Sequence, residues 1–343
     1  PIPFTYSECI NHTQNAYVEL VAARESEVVL ILMNTSSPRR SRVSALRNSC
    51  AAVLAVAWLQ FGGVSPAVAA PVVQRVADLN NVQISYRERG KGRPVLFVHA
   101  LLLDSRLWTD QLNALCETRR CLAPDFSGHG HSSHVTATKV DSRKYASELL
   151  EFLDAVGARE PVDVVGLSGG GNIALLACAQ QPTRCRSVTL ISSVVGGSLD
   201  PAGVRYRAEN ARTVVIEGKD TLFRRFNEYI VAPSASLTAR ARYRSMLEQT
   251  PYETFVAFLT AAEQQPAASE LLPKLPMPVM IPVGTGDSVL TPEMARKSAA
   301  AFMNARVVEL PSAGRLLPLE SPAELNQALG TFWNELDSGG ARR

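Results

Sequence analysis

Residues 161–179 read PVDVVGLSGGGNIALLACA. The β-branched run Val162 to Val165 suits a buried strand, and the alanine- and leucine-rich run after Asn172 suits a helix. Between them lies Gly166-Leu167-Ser168-Gly169-Gly170, a G-x-S-x-G match in the strand-turn-helix context that such a match needs. Small residues at 166, 169 and 170 let helix and strand approach closely and set one serine on a strained turn. A serine hydroxyl is a weak nucleophile until a base takes its proton. The last histidine of the chain is His134, upstream of this serine.

On either side of this stretch the pattern alternates. QRVADLNNVQISYRERG predicts a hairpin turning at Asn80-Asn81, PVLFVHA (94–100) a strand, and Ser105 to about Leu115 a helix. CLAPDF (121–126) predicts a further strand, SRKYASELLEFLDAVG an amphipathic helix, and SVTLISS a buried strand. PVMIPVG (278–284), a helix through PEMARKSAAAF, the strand ARVVEL and a helix from Pro322 complete the series. Strands alternating with helices imply an α/β fold with a mostly parallel sheet covered on both faces. Between 196 and 273 the strand signals fade into charged helical stretches, which predicts a helical insertion within one domain.

With 343 residues, 46% hydrophobic content, 20% charged residues and a net charge of +3, the chain has a full-sized core and no basic or acidic tail, so nucleic acid is not an expected partner. Arg240, Arg242 and Arg244 lie at alternate positions of a polar helical stretch and are expected to form a solvated face. The first methionine, Met33, opens MNTSSPRRSRV, followed by CAAVLAVAWL and Ala67-Val68-Ala69. This predicts a signal peptide over 33–69, cleaved after Ala69, with residues 1–32 as a non-native upstream extension and ordinary secretion rather than the twin-arginine route for Arg39-Arg40. No stable membrane span is expected in the mature chain. The exported part then holds four cysteines, an even count suited to an oxidising compartment. The expected pairs are Cys116 with Cys121 and Cys178 with Cys185, with two buried and two exposed thiols as the other reading. Neither pair lies near histidines in a ligand pattern, so no metal is expected.

Four segments stand in the order and spacing of the α/β-hydrolase family, and the resemblance covers nearly all of residues 71–337. FVHALLLDSRLWTDQL resembles the oxyanion loop, PDFSGHGHSS the loop after the fourth strand, the serine turn the nucleophile elbow, and VGTGDSVLTP the acid loop. The nearest flavour is the esterase, lactonase and haloperoxidase-like branch. The resemblance implies a doubly wound, mostly parallel sheet, with core over 70–195 and 274–337, a helical lid over 196–273 and a tail over 338–343. It implies Ser168 as nucleophile, Asp287 as triad acid, and the N–H groups of Gly169 and Leu101 as oxyanion donors. His99, Ala100 and Leu167 would line the substrate site, although His99, like His129 and His131, also reads as structural, and His134 as exposed loop. Phe223, Phe226, Tyr229, Tyr243, Phe255 and Phe258 would line a pocket or simply pack. No cofactor is expected.

Two positions depart from the family pattern. Ala100 stands where a glycine is usual, which predicts strain or a shifted oxyanion hole if that backbone needs positive φ. In PSAGRLLPLESPAEL the family would place the triad histidine directly after Gly314, and this chain has Arg315. A guanidinium has no acceptor lone pair and stays protonated at physiological pH, so it cannot act as base and is expected to pair with Asp287. The sequence thus predicts an exported serine hydrolase for a small ester, lactone or related acyl compound, impaired at the base position. The alternative is an inactive relative that binds a small apolar or acyl ligand.

Overall fold

The computed structural model describes residues 70–80, 82–133, 141–193, scattered positions between 209 and 224, 230–261 and 275–339. All of them belong to one compact unit, Ala69–Arg343. The expected signal peptide and upstream extension, His134, Phe223, Phe226, Tyr229, the side chain of Phe258 and about half of the expected lid lie outside the described residues.

Eight strands form one sheet: β1 (Val73–Leu79), β2 (Val82–Arg89), β3 (Arg93–Val98), β4 (Arg119–Pro124), β5 (Val162–Leu167), β6 (Cys185–Ile191), β7 (Val279–Gly284) and β8 (Ala305–Leu310). Their order is β1-β2-β4-β3-β5-β6-β7-β8. The β1–β2 hairpin and the β2–β4 pair are antiparallel, and every other pair is parallel. The helices between them are α1 (Thr109–Leu115), α2 (Ser142–Ala155), α3 (Gly169–Gln180), α4 (Leu237–Gln249), α5 (Tyr252–Ala261), α6 (Pro292–Ala299), a single turn α7 (Leu317–Glu320) and α8 (Pro322–Asp337). Among the described residues, no helix is long and apolar enough to cross a membrane.

The period of two along β3 divides the core. Leu96 and Val98 join Leu149 and Phe152 of α2 and Ile173 of α3 on one face, while Val95 and Phe97 join Leu112 of α1 and Leu325 and Trp333 of α8 on the other. Both faces are therefore buried, which is why these strands read as continuous apolar runs. The chain runs from β3 outward to β4, then returns to place β5 on the other side of β3. That reversal opens a crevice at the carboxyl ends of β3 and β5, where open α/β sheets bind ligands.

Cys116 is bonded to Cys121 and Cys178 to Cys185, each bridge tying the end of a helix to the next strand. The arginines of α4 are engaged rather than simply solvated. Arg242 pairs with Asp110 at 2.6 Å, Arg244 with Glu248 at 2.6 Å, and Arg240 donates to the Ala232 carbonyl at 2.6 Å.

Candidate active site

Ser168 follows the last residue of β5 and precedes α3, with φ 53° and ψ −121°. A non-glycine residue there carries backbone strain on the order of 1–3 kcal/mol and persists only where the surroundings over-determine it. They do so here. The Ser168 N–H donates to the Ile191 carbonyl at 2.8 Å, and the Ser168 carbonyl accepts from the Gly171 N–H and the Ser193 hydroxyl, each at 3.0 Å. The glycines explain how the helix gets so close. A Cβ on Gly170 would lie 2.1 Å from the His99 carbonyl oxygen, and one on Gly166 would lie 2.6 Å from the Gly171 Cα.

The loop after β3 approaches from the other side of the crevice. Leu101 lies against the start of α3, its Cδ1 2.9 Å from where a Gly169 Cβ would sit. Ala100 does not carry positive φ; the left-handed residue of this loop is Leu102, at φ 71°. The alanine is thus accommodated without the strain expected of it. The Leu102 carbonyl accepts a 2.7 Å hydrogen bond from the buried Thr250 hydroxyl, between α4 and α5. This link joins the α4–α5 segment to the loop after β3.

His99 is fully buried. Its Nε2 accepts from the Phe126 N–H at 3.0 Å and its Nδ1 lies 2.9 Å from the Ala100 carbonyl, so the neutral ring protonated at Nδ1 satisfies both. Desolvation pushes its pKa below the ordinary histidine value. Both nitrogens are spent on backbone, which makes His99 a brace of the loop rather than a residue that binds substrate through its nitrogens. Leu167 is likewise buried in the core, and Ala100 nearly so. His129 is buried beside His99 and Tyr145, and burial drives its imidazole down to about 3.

Asp287 stands after β7, its side chain wholly buried. Its Oδ1 accepts from the N–H groups of Val289 and Leu290 at 2.8 and 2.9 Å. Its Oδ2 is buried with no hydrogen-bond partner among the described residues. Arg315 reaches in from the loop after β8, between acid and serine. Its Nη2 donates to Ser168 Oγ at 2.8 Å, while Nη1 stands 3.9 Å from Asp287 Oδ1. The shorter contact is therefore with the serine, not with the carboxylate that the charges alone would favour.

Glu320, unremarked in the sequence, holds the arginine loop. It accepts from the N–H groups of Gly314 at 2.8 Å and Leu316 at 3.0 Å, on either side of Arg315, and from that of Ala232 at 3.3 Å. Ser168, Gly169, Leu101, Asp287 and Arg315 thus gather at the carboxyl ends of β3, β5, β7 and β8, and the cysteines lie apart. Among the described residues, no three histidine, cysteine or acidic side chains group as metal ligands.

The family model for the alpha/beta hydrolase fold matches residues 93–322, well over half of the chain. A non-heme chloroperoxidase of Kitasatospora aureofaciens is 34% identical over 116 residues, which is 34% of this chain and 42% of that protein, so the match spans less than half of the relative. A 2-hydroxymuconate semialdehyde hydrolase of a Pseudomonas species is 23% identical over 78% of this chain and 96% of its own. Among solved structures, a thermophilic esterase from Thermogutta terrifontis superposes with a TM-score of 0.70 at 24% identity, covering 78% of this chain and 99% of that one.

Proposed function

The chain belongs to the α/β-hydrolase fold family, and from that premise we propose that it is an exported serine hydrolase by lineage, built for a small carboxylic ester, lactone or related acyl compound, and halted at the proton-transfer step. Ser168 is the nucleophile, the N–H groups of Gly169 and Leu101 receive the oxyanion, and Asp287 is the acid left from a triad. The observation that carries this reading is the 2.8 Å contact from Arg315 Nη2 to Ser168 Oγ. A base must accept the serine proton, and here the neighbouring group donates one. The buried Asp287 Oδ2 without a hydrogen-bond partner is the acceptor that an imidazole N–H would take. Export is supported by two disulfides among the described residues, which suit an oxidising compartment.

Loss of a triad histidine costs on the order of 10⁶ in turnover in a serine protease, leaving roughly 10³–10⁴ over water from binding and the oxyanion hole. Hydrolysis of short p-nitrophenyl esters by residues 70–343 should accordingly sit near background. Arg315→His should raise it by about 10³-fold or more, and adding Ser168→Ala should abolish the gain. A parent rate that Ser168→Ala removes, and that Arg315→His leaves unchanged, would sink this reading by revealing another base. The same contact supports a second reading, a relative that binds an acyl ligand without turning it over. A fluorophosphonate probe separates the two, since it labels an activated serine fast and an unactivated one hardly at all.

A further inference from the structure

We propose that Glu320 is a positioning residue: its carboxylate clamps the loop after β8 on both sides of residue 315 and so sets the side chain at that position against Ser168. The inference deepens the reading above and rests on it for the identification of 315 as the base position.

Both oxygens of the carboxylate are taken by backbone. Oε2 accepts from the Gly314 N–H at 2.8 Å and the Ala232 N–H at 3.3 Å, and Oε1 accepts from the Leu316 N–H at 3.0 Å. One side chain therefore holds the chain one residue before and one residue after Arg315. A local helix cap explains only part of this. Leu316 is the N-cap of the single turn α7, and a glutamate of that turn reaching back to its N–H resembles a capping box. The second oxygen goes further, past the cap to Gly314 and across 88 residues to Ala232. Gly314 leaves room for it, since a Cβ there would lie 2.9 Å from Glu320 Oε2, the Ala232 nitrogen and the Ala232 Cβ.

The preceding residues are tied to the turn after β7. The Gly286 N–H donates to the Ala313 carbonyl at 2.8 Å, and the Ser312 N–H to Thr285 Oγ1 at 3.0 Å. Residue 315 thus starts from a backbone fastened on both sides, and its Nη2 ends 2.8 Å from Ser168 Oγ. An imidazole at the same position is shorter and has fewer torsions with which to correct a displaced Cα. A misplacement of about 1 Å at a reacting group costs on the order of 10² in rate.

The test is kinetic, in protein carrying Arg315→His. Adding Glu320→Gln, which sets a donor where an acceptor faced an N–H, should lower kcat for short p-nitrophenyl esters about 10–100-fold with KM within about threefold, at a temperature where both proteins are folded. Gly314→Ala, which crowds the same carboxylate, should do likewise, and the two together should cost no more than the larger alone, within about twofold. A kcat unchanged by Glu320→Gln overturns the proposal, as do losses that multiply in full. Should Glu320→Gln fail to fold, Gly314→Ala decides by the same kcat and KM criterion. If Arg315→His gains no esterase rate, the hydrolase reading has failed, and the clamp is judged in the parent by nuclear magnetic resonance. Glu320→Gln should then speed amide exchange at Gly314 and Leu316 at least about tenfold and move the Arg315 guanidinium signals toward their positions in Ser168→Ala. Either one left unchanged overturns the proposal.

Discussion

Arg315 and His129 are both cases in which one side chain's protonation chemistry outweighs its packing. For Arg315 the chain position was legible through the family resemblance, which places a histidine directly after Gly314. Its partners were legible in part: charge pointed to Asp287, and Nη1 does pair with its Oδ1 at 3.9 Å, but nothing in the sequence named the 2.8 Å donation from Nη2 to Ser168 Oγ. His129 has a consequence for stability. Burial lowers its folded pKa from 6.5 to about 3, so its contribution is present above the unfolded value and lost as pH falls toward 3. Between pH 6.5 and about 5 that loss is about 2 kcal/mol. His99, lowered by burial, acts in the same direction. Glu148 and Asp163, raised by burial, act oppositely, because protonation on acidification relieves their desolvation. Thermal melts across this range should show His129→Phe flattening the acid loss relative to the parent. An unchanged slope would show that His129 is not its source.

At the level of elements, what could be read in advance was local and periodic. The strands, the serine turn and the helix from Pro322 follow from alternation, glycine spacing and proline placement within a few residues of sequence. The bracing contacts could not be read, because they join distant segments. Thr250 meets Leu102 across 148 residues, and Glu320 reaches Ala232 across 88. No pattern in either segment names its partner. The left-handed residue of the loop after β3 also fell two positions past the suspected alanine, as the loop passes the fully buried His99. The disulfides are short-range, with separations of five and seven residues. Loops of that size remove only about 2 kcal/mol of unfolded-state entropy each. Replacing both members of either pair with serine should lower stability by about that much in denaturant titrations, with the sheet retained by circular dichroism. Collapse of the fold on losing one pair would mean the bridge supports more than chain entropy.

Across the whole molecule, the two ends of the parallel sheet divide the work. The candidate site lies beyond the carboxyl ends, while the amino ends carry a charge network centred on the buried Asp163. Asp163, near the start of β5, accepts from the Ser187 hydroxyl at 2.6 Å and from Arg186 at 2.7 Å, with Arg119 at 3.4 Å. Both arginines continue to Asp337 at the end of α8, each at 2.6 Å, so strands β4, β5 and β6 are sewn to the last helix. Removing one member of such a network leaves buried charge uncompensated, at a cost of about 3–5 kcal/mol. Five residues of extended strand, about 16 Å, separate Asp163 from Ser168, and effects at that distance with no shared partner add independently. Asp163→Ala, placed in the Arg315→His background, should therefore lower the melting temperature markedly while leaving kcat and KM for short esters within about twofold at a temperature where both variants are folded. A large fall in kcat there would mean that β5 transmits strain from the network to the elbow. That would make the charge network part of how the Ser168 turn is held, and would tie the stability of one end of the sheet to the chemistry of the other.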